Sequence, residues 1–251
     1  MSNKNLVGQA AGELFGDRDP SAVDRWVSPG YRQHSSLAAD GPEALRGLVA
    51  SLPVDFRYEG ARVIADGEFV ALHGTYHGFG PSPLVAFDLF RVENGKLVEH
   101  WDALTPVVEH TASGRTQIDG PSQPSDLDKT EQNRALVAEF AQKVLVDADY
   151  SVLTDYISTE RYDQHNPEAA DGLAGFGAAA ATWAEQGKTL VYKTIHKIIA
   201  EGDLVLLQSE GEFGTPVAYW DLFRVADGKI VEHWDIITPI PTTLPHDNGL
   251  F

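Results

Sequence analysis

The chain has 251 residues, no cysteine, and 37 acidic against 19 basic residues, a formal net charge of −18 with histidine neutral. Without cysteine there is no disulfide, thiol nucleophile or thiolate metal site, and the acidic surplus opposes binding to nucleic-acid phosphates or to anionic lipid. A 43% hydrophobic content suits a soluble globular chain, and no apolar run approaches the roughly 18 residues that suggest a membrane span. The opening Met1-Ser-Asn-Lys-Asn lacks the basic-then-apolar layout of a secretory signal. The expectation is a cytoplasmic protein with neither nucleic acid nor membrane as partner.

In chain order, Leu6, Ala10 and Leu14 form a helical stripe, although Gly8 and Gly12 each cost about 1 kcal/mol relative to Ala. Short helices are expected over 20–27 and, after Asp40-Gly-Pro-Glu43, along Leu45, Leu48, Val49 and Leu52. From Phe56 to Asp102, β-branched and aromatic runs are broken by the turn signals Asp66-Gly67 and Asn94-Gly95. Residues 111–126, rich in Gly, Pro and Ser, have the composition of a linker. The order then recurs. Asp128-Lys-Thr-Glu131 has capping-box spacing ahead of Leu136, Phe140 and Val144. Helices follow over 150–156 and along Leu173, Phe176 and Trp183, then strands from Leu190 to Asp235 with turns at Glu201-Gly202 and Asp227-Gly228.

The recurrence is also literal. Asp88-Leu-Phe-Arg-Val-Glu-Asn-Gly-Lys-Leu-Val-Glu-His-Trp-Asp102 returns as Asp221-Leu-Phe-Arg-Val-Ala-Asp-Gly-Lys-Ile-Val-Glu-His-Trp-Asp235, and Tyr31-Arg-Gln-His34 as Tyr162-Asp-Gln-His165. His34 and His165 are 131 positions apart, His100 and His233 133. So small a drift over so long a span means two homologous domains rather than a solenoid of short repeats. The expected division is domain 1 over 1–110, a linker over 111–126, domain 2 over 127–241 and a tail over 242–251. Helices first and an antiparallel meander second suggest α+β domains with helices packed on one face of a curved sheet.

These motifs, with Asp40-Gly41 matching Asp171-Gly172 and Gly67-Glu-Phe-Val70 matching Gly202-Asp-Leu-Val205, resemble the SnoaL-like, polyketide-cyclase-like family of the nuclear-transport-factor-2-like superfamily. The second half carries the fuller pattern, while the first has Ser35 in place of the family's Asn and Glu68 in place of its Asp. The resemblance implies two tandem cone-shaped α+β barrels, each a bent antiparallel sheet wrapped around about three helices with a pocket open at one end. It also implies aldol closure of polyketides by an Asp that moves a proton, without metal or organic cofactor. Related domains pair through their sheets, so an intrachain pseudo-dimer, or a homodimer, is expected.

Whether Asp88 and His100 share a face depends on the hairpin between them. A three-residue loop Glu93-Asn94-Gly95 would oppose Asp88 to His100 and put both on one face with Phe90, Val98 and Asp102. A two-residue Asn-Gly turn would oppose Asp88 to Trp101 and send His100 to the other face. The first is preferred by analogy with ketosteroid isomerases, which resemble this fold and carry a pocket Asp in a similar strand. Asp88 and Asp221 are then the candidate proton-transfer bases, with His100 and His233 as donors or relays and His34 and His165 at the opposite pocket wall. Tyr31, His73, Phe90, Tyr162, Gln208 and Trp220 are candidate lining residues.

Arg91, Glu99, Trp101 and Asp102 are assigned to structure. His73 and His77 could join His34, His100 and Asp88 around a metal, but the second half has Gln208 and Glu212 at the matching positions, so no metal and no cofactor is expected. The expected function is cofactor-independent proton transfer, aldol cyclisation or isomerisation, on a small hydrophobic carbonyl compound. The rival is a binding module that holds such a molecule without converting it.

Overall fold

The computed structural model describes residues 1–251. Ser2 caps α1 (Asn3–Ala11) by accepting the Asn5 N–H at 3.2 Å, leaving Leu6, Val7 and Ala10 on the buried face. A π-helical turn over Gly12–Gly16 carries the stripe on to Leu14. In the second half the expected capping box does not form. Leu127–Lys129 make a 3-10 turn, and α4 (Thr130–Phe140) starts without a side-chain cap. The reason is a competing tie: Thr130 Oγ1 donates to the Leu127 carbonyl at 2.9 Å and accepts the Gly202 N–H at 2.8 Å, fastening the helix start to a strand turn. Phe140 and Val144 enter the core as expected, whereas Leu136 packs against it only partly buried.

Two compact units emerge, one of 1–107 with 241–251 and the other of 108–240. The first has α2 (Ala22–Trp26), β1 (Val27–Gln33), α3 (Pro42–Ser51), β2 (Arg57–Asp66), β3 (Phe69–His77), β4 (Leu84–Glu93) and β5 (Lys96–Pro106). Its sheet runs β1-β5-β4-β3-β2. The second has α5 (Leu153–Tyr156), β6 (Asp163–Gln164), α6 (Gly172–Glu185), β7 (Leu190–Glu201), β8 (Leu204–Phe213), β9 (Pro216–Ala226) and β10 (Lys229–Pro239), with the order β6-β10-β9-β8-β7. Each unit is thus α+β, with one departure from the expected barrel. β1 and β6 pair in parallel with β5 and β10, so each sheet is mixed and does not close into a barrel.

In the first unit Leu6, Val7, Ala10 and Leu14 pack with Val70, Leu72, Phe90 and Val92. Since alternate strand residues share a face, this helix-covered face is also the one that carries Asp88, His100 and Asp102.

The hairpin joining β4 to β5 settles the register question in a way neither alternative described. Glu93 pairs with Lys96 around a two-residue turn in which Asn94 and Gly95 have φ of 50° and 75°, the left-handed pair that a type I′ turn requires. Val92 then pairs with Leu97 but Arg91 with Glu99, so Val98 is an extra residue in a β-bulge. The bulge restores the parity that the tight turn would have lost. Asp88 opposes Asp102, Phe90 opposes His100, and all four share a face. The second copy repeats this, with Asp221 opposite Asp235 and Val231 as the bulge. Gly95→Ala should lower first-unit stability by about 1–2 kcal/mol, because the left-handed region strains any residue with a Cβ. A chemical denaturation midpoint unchanged by the substitution would contradict this turn.

Candidate active site

In the first unit Gln33 sits at the end of β1 beside β5, because its partner is His100. Its Oε1 accepts the backbone N–H groups of His34 and Ser35 at 3.1 and 3.0 Å. That fixes the amide orientation, so the ring nitrogen at 2.9 Å, Nδ1 of His100, must donate to it. With Nδ1 carrying a proton, Nε2 faces Asp88 Oδ1 at 3.1 Å. A lone pair there would meet a carboxylate lone pair, so this contact also needs a proton, which the imidazolium form of His100 supplies. Tyr76 donates its hydroxyl to the other Asp88 oxygen at 3.0 Å. The second unit repeats the histidine, aspartate and tyrosine contacts. His233 meets Gln164 Oε1 at 3.2 Å and Asp221 Oδ1 at 3.0 Å, and Tyr192 donates to Asp221 at 3.1 and 3.2 Å.

A second carboxyl completes each group. Asp102 lies beside Asp88 and His100, and Asp235 beside Asp221 and His233, with donor atoms within 4.8 Å of one another in each trio. Asp88, His100, Asp221 and His233 are buried, but Asp102 and Asp235 keep part of their surface open. Burial and the neighbouring Asp88 charge push the Asp102 carboxyl up to about 6, against the pull of His100 and of a hydrogen bond with Ser35. Asp235 is likewise raised to about 6, mainly by burial, with Asn166 Nδ2 donating to it at 2.7 Å. For His100 and His233, burial opposes protonation, yet the Asp88 or Asp221 hydrogen bond and the two nearby carboxylates raise the imidazole above its ordinary value.

The trios border pockets that are otherwise mainly apolar. The second-unit pocket is about 640 Å³, with open solvent at its mouth included, and is walled by Phe140, Tyr162, Phe176, Trp183, Tyr192 and Phe223. The first-unit pocket, about 500 Å³ on the same measure, is lined by Phe15, Leu48, Phe56, Tyr76 and Phe79, with Ser35 and Gln33 at the polar end. Apolar walls with a few convergent polar groups are the usual make-up of a small-molecule site.

The expected site residues divide between the sheet faces. Asp88 with His100 and Asp221 with His233 come together at the pockets. His34 and His165 do not form the opposite pocket wall. His34 stacks on Trp101 and meets Glu99 at 3.5 Å, while His165 stacks on Trp234 and meets Glu232 at 2.9 Å. The cause is parity, since Trp101 and Glu99 alternate with His100 and Asp102 and face away from the pocket. His73, Gln208 and Trp220 are corrected for the same reason, for their strand partners put them on that reverse face. Tyr162 lines its pocket. Phe90 stacks on His100, and Tyr31 accepts from Gln33 Nε2 at 3.3 Å behind the trio.

Asp102, which the sequence reading assigns to structure, belongs to this site, as do Gln33, Gln164, Tyr76 and Tyr192, which that reading does not single out. The signal was present for some of them: Asp102 ends the repeated motif, and Gln33 sits within Tyr-x-Gln-His. The suggested first-half metal cluster does not converge, since His73 and His77 occupy the face opposite His100. His73 instead meets Arg62 at 2.7 Å and stacks on Phe87. Within each trio the carboxylate oxygens and an imidazole nitrogen lie within 4.8 Å of one another, with the ring nitrogens turned to Gln33 and Asp88 or to Gln164 and Asp221.

A helix-backed mixed sheet holding a carboxylate–imidazole group at an apolar pocket defines a small-molecule-pocket α+β class. The model of the SnoaL-like domain matches residues 9–100 and 137–233. The chain belongs to the SnoaL-like family and contains two tandem copies of its domain. Among solved structures it is similar to TsrD from Streptomyces laurentii, at 20% identity over 41% of this chain and 91% of that one, with a TM-score of 0.35. It is similar to IdmH from Streptomyces antibioticus, described as a candidate polyketide cyclase, at 16% identity over 41% and 92%, with a TM-score of 0.35. A third is a candidate ketosteroid isomerase from Kribbella flavida DSM 17836, at 16% identity over 50% and 92%, with a TM-score of 0.38. No curated protein matches the chain. No helix is long and apolar enough to cross a membrane.

Proposed function

We propose that each pocket carries out proton transfer α to a carbonyl, leading to aldol closure or isomerisation of a small, largely apolar compound. The observation that carries this reading is a carboxyl raised to about 6, with surface open to an apolar pocket and an imidazole held beside it. A base that titrates near neutral pH is both available and strong enough to take a proton from carbon acidified by a carbonyl. Ionised Asp102 or Asp235 takes that proton. The electron pair moves from the C–H bond to the carbonyl oxygen, and the positive charge of His100 or His233 offsets the charge that develops there. Asp88 and Asp221 keep the imidazole charged, and the Tyr76 and Tyr192 hydroxyls hold those carboxylates in place. Protonated Asp102 or Asp235 then returns the proton, to carbon in an isomerisation or to the alkoxide formed in ring closure.

The test is solvent deuterium exchange at the α-carbon across a panel of hydrophobic ketones and β-dicarbonyl compounds, followed by NMR. Exchange should follow a bell-shaped pH profile. Its acid limb lies near 6, where the carboxyl ionises, and its alkaline limb above 6.5, where the raised imidazole loses its proton. Binding of such compounds with no exchange by the wild-type chain would favour the non-catalytic binding module over the enzyme.

A further inference from the structure

We infer that residues 246–249 and 113–116 are two copies of a positioning strap that holds the site glutamine, and through it the site histidine, in the first and second unit respectively. In the first unit Asn248 Nδ2 donates to the Gln33 carbonyl at 3.0 Å and to Asp40 Oδ1 at 2.8 Å. The Gly249 carbonyl meets His34 Nδ1 at 2.9 Å, and His246 Nε2 meets the Ser35 carbonyl at 2.9 Å. In the second unit Arg115 Nε donates to Asp171 at 3.1 Å, the Thr116 carbonyl meets His165 Nδ1 at 2.7 Å, and Ser113 Oγ donates to the Gln164 carbonyl at 2.7 Å. The paired positions 246 and 113, 248 and 115, 249 and 116 are each 133 apart, the offset that relates His233 to His100.

No residue is shared within those pairs. The straps also lie outside both segments matched by the family, 9–100 and 137–233. In chain order each follows the last strand of one repeat copy, yet it belongs to the compact unit of the other. The 248/115 and 249/116 pairs engage equivalent targets, Asp40 or Asp171 and His34 or His165, while the glutamine carbonyl is taken by Asn248 in the first unit and by Ser113 in the second. What recurs is the geometry, and its target is the strand end that carries the glutamine.

The route from strap to site is short. Asp40 Oδ1, held by Asn248, accepts the Gln33 N–H at 2.8 Å, and Asp171 Oδ1, held by Arg115, accepts the Gln164 N–H at 2.8 Å. The Gln33 backbone is therefore fixed at both its N–H and its carbonyl, leaving its Oε1 aimed at His100 Nδ1. Ser35, whose carbonyl His246 engages, also hydrogen-bonds Asp102. These contacts make Asn248 and Arg115 positioning residues, since neither touches the pocket. The inference concerns the tautomer and protonation of His100 and His233, and it stands whether the pocket converts its ligand or only holds it.

The experiment is long-range 15N–1H NMR of the histidine rings in the full chain, read as tautomer and titration midpoint for wild type, Asn248→Ala, Asn248→Arg and Arg115→Ala. Asn248→Ala should lower the His100 midpoint by about half a pH unit or more, because a loosened Gln33 no longer favours the doubly protonated ring. It should leave His233 unchanged. Arg115→Ala should do the reverse. Asn248→Arg, which installs the second unit's residue at the matching place, should restore the Asp40 contact and the wild-type His100 midpoint. Unchanged titration of both rings in both alanine variants would overturn the inference. So would equal movement of both rings in either variant, the signature of general loosening.

Discussion

Asp102→Asn and Asp235→Asn should each stabilise the unit that carries them above pH 6, and together they should abolish α-proton exchange. A buried carboxyl raised from 3.8 to about 6 favours its neutral form in the folded protein. The stability it contributes is full below its unfolded value and is lost as pH rises through 6. Once ionised, at about 1.4 kcal/mol per pH unit, it leaves the fold up to about 3 kcal/mol less stable than a neutral side chain would. That is an upper figure because Asp102 and Asp235 keep some solvent contact. Asn removes the charge and can still accept from Ser35 or pair with Asn166. Urea denaturation at pH 8 should therefore show higher midpoints for the variants, and the difference should vanish near pH 4. Exchange that persists in the double variant would remove the assigned base, and lower stability at pH 8 would mean that burial is not what raises these carboxyls. A site that gains stability when its acid is neutralised holds strain tied to its chemistry.

The register of the strand pair shows how far the sequence could be read. The repeat pointed to two copies of one domain and to a helices-then-strands order in each, since tandem identity and period-2 alternation are local signals, whereas the shared face of Asp88 and His100 rested on the likeness to ketosteroid isomerases. The bulge at Val98 and Val231 was not legible. A bulge leaves no composition of its own, and Asn94-Gly95 by itself argued for the tight turn that would have put His100 on the wrong face. That single extra residue also made Asp102, rather than His100, the direct neighbour of Asp88. His34 and His165 were misplaced for a related reason. Parallel pairing of β1 and β6 with β5 and β10 had to be known before their side could be assigned. The straps were unreadable because they repeat in contact and not in sequence.

On the reverse face, Glu232→Ala should be among the most destabilising single substitutions in the second unit, at about 3–5 kcal/mol. Glu232 is 1% exposed and lies at 2.6 Å from Arg224 Nε and 2.9 Å from His165 Nε2, while the other ring nitrogen of His165 faces the Thr116 carbonyl and, at 2.8 Å, Asp119 Oδ1. Removing the carboxylate strands a buried guanidinium and takes the acceptor from His165 Nε2, while Nδ1 keeps the Thr116 carbonyl and Asp119. The first-unit counterpart should cost less, about 1 kcal/mol for Glu99→Ala, because Arg91 is 25% and Glu99 13% exposed and His34 is 3.5 Å away.

The pH dependence of this group runs opposite to that of Asp102. Burial pushes the Glu232 carboxyl up, but hydrogen bonds and charge from His165 and Arg224 outweigh it and hold the carboxyl below its ordinary 4.5. Its stabilisation is present above about 4.5 and is lost as pH falls through the depressed value. The gap between wild type and Glu232→Ala should therefore narrow in acid, whereas the Asp102→Asn gap opens in base. Replacing both partners, Arg224→Met with Glu232→Leu, should recover much of the loss, since the cost lies in the stranded charge and not in the missing attraction. A double variant as unstable as Glu232→Ala would instead assign the loss to His165, and with it to the strap that meets the other side of that ring.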